Sequence, residues 1–345
     1  MKPAPRRWQV SDAPPLPGFH PVVGAVLAAR GYDETAARVF LNPVAGWHDP
    51  LQLPGMVDAV RTVRTALANG ERIAIYGDYD ADGVTACAML VRALRSAGAD
   101  CIPYIPNRMT EGYGLNGPAL DELWSLGARC VITVDCGTSS VDVVRNRPSG
   151  MSLIVTDHHL PLAPDGTAPQ LAPADALVNP KLDGSPYPFD GLAGAGVAFK
   201  LVQALEEAGV LPAGSADSAL PLAALGTIAD MMPLRGENRS IVQAGLPALS
   251  AMPGINSLCR CGGLPLALRC SDVAFGIGPR INAAGRMEDA KLALDLCLAD
   301  DIAVAEPLAA QLDAQNRRRQ LAVTEALAAA EEQVAELDDD VPAIV

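Results

Sequence analysis

Apolar positions along the chain change period several times, and the changes divide it into elements. Within an arm rich in Pro and Gly over residues 1–55, short helical pieces are expected near Val22–Arg30 and Glu34–Phe40. Helical spacing over Val57–Asn69 is stopped by Asn69-Gly70. Wholly apolar runs then recur at Ile73–Tyr76, Cys101–Ile105, Cys130–Val134, Leu153–Thr156 and Ala176–Val178. Between the first four lie helical stretches near Val84–Ser96, Gly117–Leu126 and Ser140–Asn146, with Gly98, Gly127 and Gly150 at their expected ends. Short strands that are apolar on both faces and alternate with helices predict a parallel sheet covered on both sides, an α/β architecture.

Beyond the sheet the pattern turns helical, over Ala195–Ala208, Leu220–Met231 and Asn238–Leu249, and residues 256–290 read as a mixed region. A last helical pattern runs from Ala303 to Leu337, roughly 50 Å at 1.5 Å per residue, a length that suits a connector. The expected organisation is an arm (1–55), a catalytic domain (56–300, with an α/β core over 70–180 and a helical part over 190–300) and a connector helix (301–340). Residues 341–345 read as the start of a further strand.

Composition narrows the function. The net charge of −14 over 345 residues argues against a broad basic surface that coats nucleic acid, and leaves room for a local groove that grips phosphate. No apolar run approaches the ~18 residues of a membrane span, and the N-terminus lacks the apolar core of a secretory signal. Eight irregularly spaced cysteines suggest a reduced, cytoplasmic protein rather than a disulfide framework.

Chemistry gathers at the strand ends. Gly77-Asp78-Tyr79-Asp80-Ala81-Asp82-Gly83 follows the first strand. It resembles a calcium loop, but Met89 stands where the twelfth-position Glu belongs and a strand precedes it where a helix should. A turn that caps a helix needs one Asp; three within five residues repel one another unless cations are near. Asp135 follows another strand and, alone, reads equally well as a cap. Asp157-His158-His159 follows a third and holds two of the chain's four histidines. The carboxyl ends of parallel strands open on one edge, so these three groups should converge there. Asp230 is an acid in an otherwise apolar helix, read either as a helix-end residue before Pro233 or as a ligand. Mixed carboxylate and imidazole donors suit Mn²⁺ or Mg²⁺ better than thiolate-bound Zn²⁺. Arg280, Asn282 and Arg286, in Gly278–Met287, and Arg108 and Tyr113, after the second strand, are candidates for phosphate and base contacts, with a solvated loop as the alternative for the first three. Gly194-Ala195-Gly196 lacks a third glycine and reads as close helix packing.

The segments GDYDADGVT (77–85), PNRMTEGYGLN (106–116), TVDCGTSS (133–140), TDHHLP (156–161), LAGAGVAFKL (192–201), LGTIADMMPL (225–234), ENRSIVQAGL (237–246) and IGPRINAAGRM (277–287) together resemble the RecJ-type exonucleases of the DHH phosphoesterase superfamily. The resemblance implies a DHH fold and two-metal hydrolysis of single-stranded DNA from a 5′ end, releasing 5′-mononucleotides in repair and recombination. It implies metal ligation by Asp80, Asp82, Asp135, His158 and Asp230, with Asp135 bridging two ions. Asp78, Asp157 and His159 would support the ligands or the reacting phosphate, and Arg280, Asn282 and Arg286 would hold the DNA backbone. Single-strand-binding protein and a repair helicase are the implied partners. Some superfamily members carry a His four residues before the first ligand Asp; Tyr76 stands there, so one metal site is expected to be weaker. RecJ-type proteins continue past the long helix into a second nuclease domain, so a C-terminally shortened chain is expected. A small-substrate phosphodiesterase and a non-catalytic DHH-fold scaffold are the alternatives.

Overall fold

The computed structural model describes residues 12–42, 47–163, 166, 168–287 and 289–335. The first eleven residues of the expected arm, the end of the connector and the strand start at 341–345 lie outside them. Two short helices, α1 (Pro21–Ala29) and α2 (Glu34–Leu41), precede α3 (Met56–Ala68). The sheet follows: β1 (Arg72–Gly77), α4 (Ala81–Ser96), β2 (Cys101–Tyr104), α5 (Gly117–Ser125), β3 (Ala128–Val134), α6 (Val141–Arg145), β4 (Ser152–Thr156) and β5 (Ala176–Val178). All pairings are parallel, in the order β2-β1-β3-β4-β5. That order reverses direction between β1 and β3, which makes their carboxyl ends the switch point where open α/β sheets bind ligands.

Strand residues alternate between two apolar layers, as a sheet buried on both faces requires. Ile73, Ile75, Cys130, Ile132, Val134 and Ile154 meet α3, α4 and the later helices. Ala74, Tyr76, Val131, Leu153 and Val155 meet α5 and α6. Tyr76 therefore faces away from the acid groups: its hydroxyl donates to the Gly114 carbonyl at 2.8 Å, and its ring stacks on Tyr104.

The remaining chain is helical: α7 (Gly194–Glu207), α8 (Ser215–Ala229), α9 (Gly236–Leu249), α10 (Pro253–Gly262), α11 (Cys270–Asp272), a π-helical turn (Val273–Ile277), α12 (Gly278–Met287), α13 (Lys291–Leu298) and α14 (Ile302–Ala335). The region expected to be mixed, 256–290, is thus largely helix; apart from Pro265, in the stretch between α10 and α11, its glycines and prolines sit in or at the ends of helices. One apolar core runs from Leu53 to Leu312 and takes in Ala305, Ala309 and Leu312 of α14. The long helix is therefore a core element over its first part. Further along, Leu321, Val323, Leu327 and Val334 are exposed.

Candidate metal centre

Three strand ends and one helix end build the site. After β1 the chain turns so tightly that a Cβ at Gly83 would lie 2.4 Å from the Asp78 carbonyl oxygen. Asp80 caps α4, one carboxylate oxygen accepting from the Asp82 and Gly83 amides at 2.9 and 3.1 Å. Asp82 sits in the first turn of α4, buried, and accepts from the first amides of α7, Gly194 at 2.7 Å and Ala195 at 2.8 Å. Asp135 follows β3 with φ +61, and with Met231 is one of two non-glycine residues with positive φ among those described. A Cβ at Gly194 would lie 2.6 Å from Asp135 Oδ1, so the N-terminus of α7 presses directly on this carboxylate. After β4, Asp157 accepts from the amides of Thr138, His158 and His159 and from His159 Nδ1 at 2.8 Å. Asp230 ends α8.

These groups converge as anticipated. His158 Nε2 lies 3.0 Å from Asp135, 3.8 Å from Asp230 and 3.9 Å from Asp82. Three trios have ligand atoms within 4.8 Å of one another: Asp82, His158 and Asp230; Asp135, His158 and His159; Asp78, Asp80 and Asp135. Asp78 thus stands among the potential ligands, closer in than a supporting role requires, and Asp135 and His158 are each shared by two trios.

Electrostatics indicate what is needed between them. Burial, then the neighbouring Asp80, pushes Asp78 up to about 7; burial and Asp80 raise Asp230 to about 6. Burial followed by carboxylate repulsion holds Asp82 and Asp135 well above the usual carboxylate range. Burial, with His159 and Lys181 nearby, lowers His158 to about 4, which leaves its imidazole neutral and able to act as a ligand. Asp157 differs: burial would raise it, but the bonds from His159 and the backbone amides outweigh burial and bring it below the ordinary value. His159 is raised, chiefly by that same bond. Asp78 Oδ1, Asp135 Oδ1, Asp230 Oδ2 and His158 Nδ1 are buried without a hydrogen-bond partner. Acceptors packed together without donors are costly, and divalent cations between them remove that cost. Oxygen-rich donors with one or two imidazoles fit Mn²⁺ or Mg²⁺.

The basic candidates fare differently. Arg280 donates to Asp313 Oδ1 and to the Gly276 carbonyl, both at 2.8 Å, and its side chain is 15% exposed; it ties α12 to α14. Asn282, expected on the backbone of DNA, accepts from the Ala81 amide at 2.6 Å and so fixes the first turn of α4 between Asp80 and Asp82. Arg286 is exposed at the end of α12, within electrostatic range of Tyr79. Arg108 lies over the Tyr79 ring at 5.0 Å, and Tyr113, 62% exposed, meets that ring edge-on at 6.0 Å. The sequence pattern alone does not point to Tyr79 or to the α7 amides. An aromatic inside an acidic turn was the available signal for Tyr79; for the amides it was the glycine pair Gly194 and Gly196.

This sheet, with its acidic carboxyl edge, defines an α/β protein of DHH type, and the DHH family, N-terminal domain, matches residues 72–227. The chain is 40% identical over 331 residues to the single-stranded-DNA-specific exonuclease RecJ of Bacillus subtilis (strain 168), an alignment covering 94% of this chain and 41% of that one. A crystal structure of exonuclease RecJ bound to manganese superposes with a TM-score of 0.71 at 38% identity, covering 83% of this chain and 71% of that one. RecJ from Thermus thermophilus in complex with Mn²⁺ gives a TM-score of 0.75 at 34% identity, covering 92% and 45%. The chain belongs to the RecJ family. It spans about half the length of the curated relatives it matches. Among the described residues no helix is long and apolar enough to cross a membrane.

Proposed function

We propose that the protein hydrolyses single-stranded DNA from its 5′ end and releases 5′-mononucleotides, with two divalent ions, Mn²⁺ or Mg²⁺, held by Asp78, Asp80, Asp82, Asp135, His158 and Asp230. The observation that carries this reading is the set of buried, partnerless ligand atoms at the carboxyl edge of the sheet. Bound there, the ions supply an activated water and neutralise charge on the scissile phosphate. The chain's own residues do the rest. Amides of α7 orient Asp82, and Asn282 holds the loop that carries Asp80. Asp157 fixes the His159 ring and favours its protonated form, which suits it to donate a proton to the departing 3′ oxygen. Tyr79 and Tyr113 offer faces on which bases stack, worth roughly 1–3 kcal/mol per base, and Arg108 and Arg286 offer charge to phosphate. The eight free thiols suit a reducing cytoplasm, where single-strand-binding protein and a repair helicase would be its partners.

One observation favours a second reading. With Arg280 engaged by Asp313, Arg108 and Arg286 are the basic candidates left near the site, and so few cations suit a short substrate with few phosphates to hold. The test compares Mn²⁺-dependent release of 5′-mononucleotides from a long 5′-phosphorylated single strand, the same strand in duplex, and a dinucleotide. Faster turnover of the long single strand is expected. A preference for the dinucleotide would favour the second reading, and no hydrolysis of any substrate by a folded, Mn²⁺-loaded protein would exclude both.

A further inference from the structure

A cavity of about 930 Å³ lies between the α1–α2 region and the N-terminus of α9, and none of the acid-edge residues is among its described lining. Among its described lining residues three are arginines, Arg30, Arg235 and Arg239, and none is an acid. In a chain of net charge −14 this is a local reversal of sign. Arg239 is held in place, its Nε donating to the Phe40 carbonyl at 2.7 Å and its Cζ lying 3.8 Å from the Phe40 ring centroid. The Arg30 and Arg235 side chains have no hydrogen-bond or ion-pair partner among the described residues, whereas most arginines here are paired. Glu237, the acid nearest this end of α9, is turned into the core, where Lys200, Tyr187 and the His48 amide hold it; it cannot neutralise the cavity. The first turn of α9 has no side-chain cap, so its amides add to the positive potential at Gly236. Tyr32 and Phe40, ring centroids 4.9 Å apart, form an aromatic wall and are half-buried.

We propose that this cavity is a nucleotide-phosphate site, separate from the metal centre. Forked guanidiniums and uncapped amides take the phosphate oxygens, and the Tyr32–Phe40 wall takes the base. The volume falls within the roughly 300–1,000 Å³ of small-molecule sites, enough for one nucleotide unit. The phosphate can belong to a free 5′-mononucleotide or to a unit of a bound strand; the chemistry recognised is the same. The inference stands on the cavity alone and does not rest on the reading of the acid edge.

The test is titration calorimetry in EDTA, which removes divalent ions from the acid edge, with inorganic phosphate, 5′-dAMP and a 5′-phosphorylated oligo-dA as probes. 5′-dAMP should bind with sub-millimolar affinity and inorganic phosphate roughly tenfold more weakly, the difference being the stacked base. Arg30→Gln with Arg235→Gln should weaken 5′-dAMP by about tenfold or more, with circular dichroism and Mn²⁺ binding unchanged. Oligo-dA binding tighter than 5′-dAMP, and equally sensitive to the double substitution, identifies a strand as the occupant; equal affinities identify the free nucleotide. Equal 5′-dAMP affinity in the wild type and the double variant, or no binding of 5′-dAMP and oligo-dA at millimolar concentration, overturns the proposal. Failure to hydrolyse DNA would leave it standing.

Discussion

The carboxyl edge of the sheet and helix α12 both drew attention as clusters of charge, and the structure treats them in opposite ways. At the edge, acids crowd together and several of their oxygens have no donor. On α12, Arg280 is answered by Asp313 and Asn282 by the Ala81 amide. Charge left unanswered by its own chain points to a ligand, whereas charge answered from within is architecture. The distinction lies in partners, which residue type does not reveal.

Four experiments can break or sharpen that contrast. The largest effect should come from Asp135→Ala, which removes the carboxylate shared by two trios. Mn²⁺-dependent release of mononucleotides should fall by about a thousandfold or more, several kcal/mol of transition-state stabilisation, while circular dichroism stays native. Undiminished activity would remove Asp135 from the centre. Asn282→Ala comes next. It should weaken Mn²⁺ binding by about 10–100-fold in calorimetry, because the loop between Asp80 and Asp82 loses its support; unchanged affinity would make the bond incidental.

The third compares two arginines of one helix. Arg280→Ala breaks a mostly buried pair and should lower stability in urea unfolding by about 3 kcal/mol, the low end of such losses, since Arg317 still reaches Asp313. Arg286→Ala should leave stability unchanged and weaken strand binding in fluorescence anisotropy. The reverse result would return Arg280 to the substrate path. The fourth and mildest effect is the pH dependence of the metal-free protein. Asp78 (about 7) and Asp230 (about 6) titrate higher folded than unfolded, so the native state holds more protons. Stability should therefore fall as pH rises from about 4 through 7, and saturating Mn²⁺ should abolish the slope. Differential scanning fluorimetry in EDTA and in Mn²⁺ measures both; parallel curves would mean that the acids do not sense the metal.

Much of this edge is legible in the sequence, because apolar runs of period-free strand end abruptly in Asp or His, and the parallel topology that follows from alternation brings those ends together. Asp78, Asp80, Asp82, Asp135 and His158 could all be named in this way, whereas Asp230 stood out only as an acid in an otherwise apolar helix. The helical half is less legible for two reasons. Pro253, Gly262, Gly263, Pro279 and Gly285 carry loop-like composition, yet Gly262 makes room for the Arg280 guanidinium and Gly285 for the Tyr79 backbone. The decisive partners are also remote in sequence: Asn282 meets Ala81 from 201 residues away, and Arg280 meets Asp313 from 33. No local pattern encodes such meetings. Tyr76 is a related case. Its position invites comparison with a ligand, but the alternation of β1 turns it to the opposite face, toward Gly114 and Asn116.

The helix α14 has a mechanical consequence. Its buried stripe, Ala305, Ala309, Leu312 and Asn316, continues at the same spacing as Val323, Leu327 and Val334, which no neighbour covers among the described residues. Past Gln320 about 22 Å of helix stands free of the core, so a tilt of about 10° at that point sweeps the tip by roughly 4 Å. The base is clamped by Arg280 on Asp313, a carboxylate that Arg317 of the same helix also holds, and Arg280 shares a helix with Asn282, which grips the loop between two of the acids. The rod is thus a lever whose fulcrum is bolted to the acid edge through two bonds, and a torque applied to its far end is borne by Asp313 before it reaches Asp80.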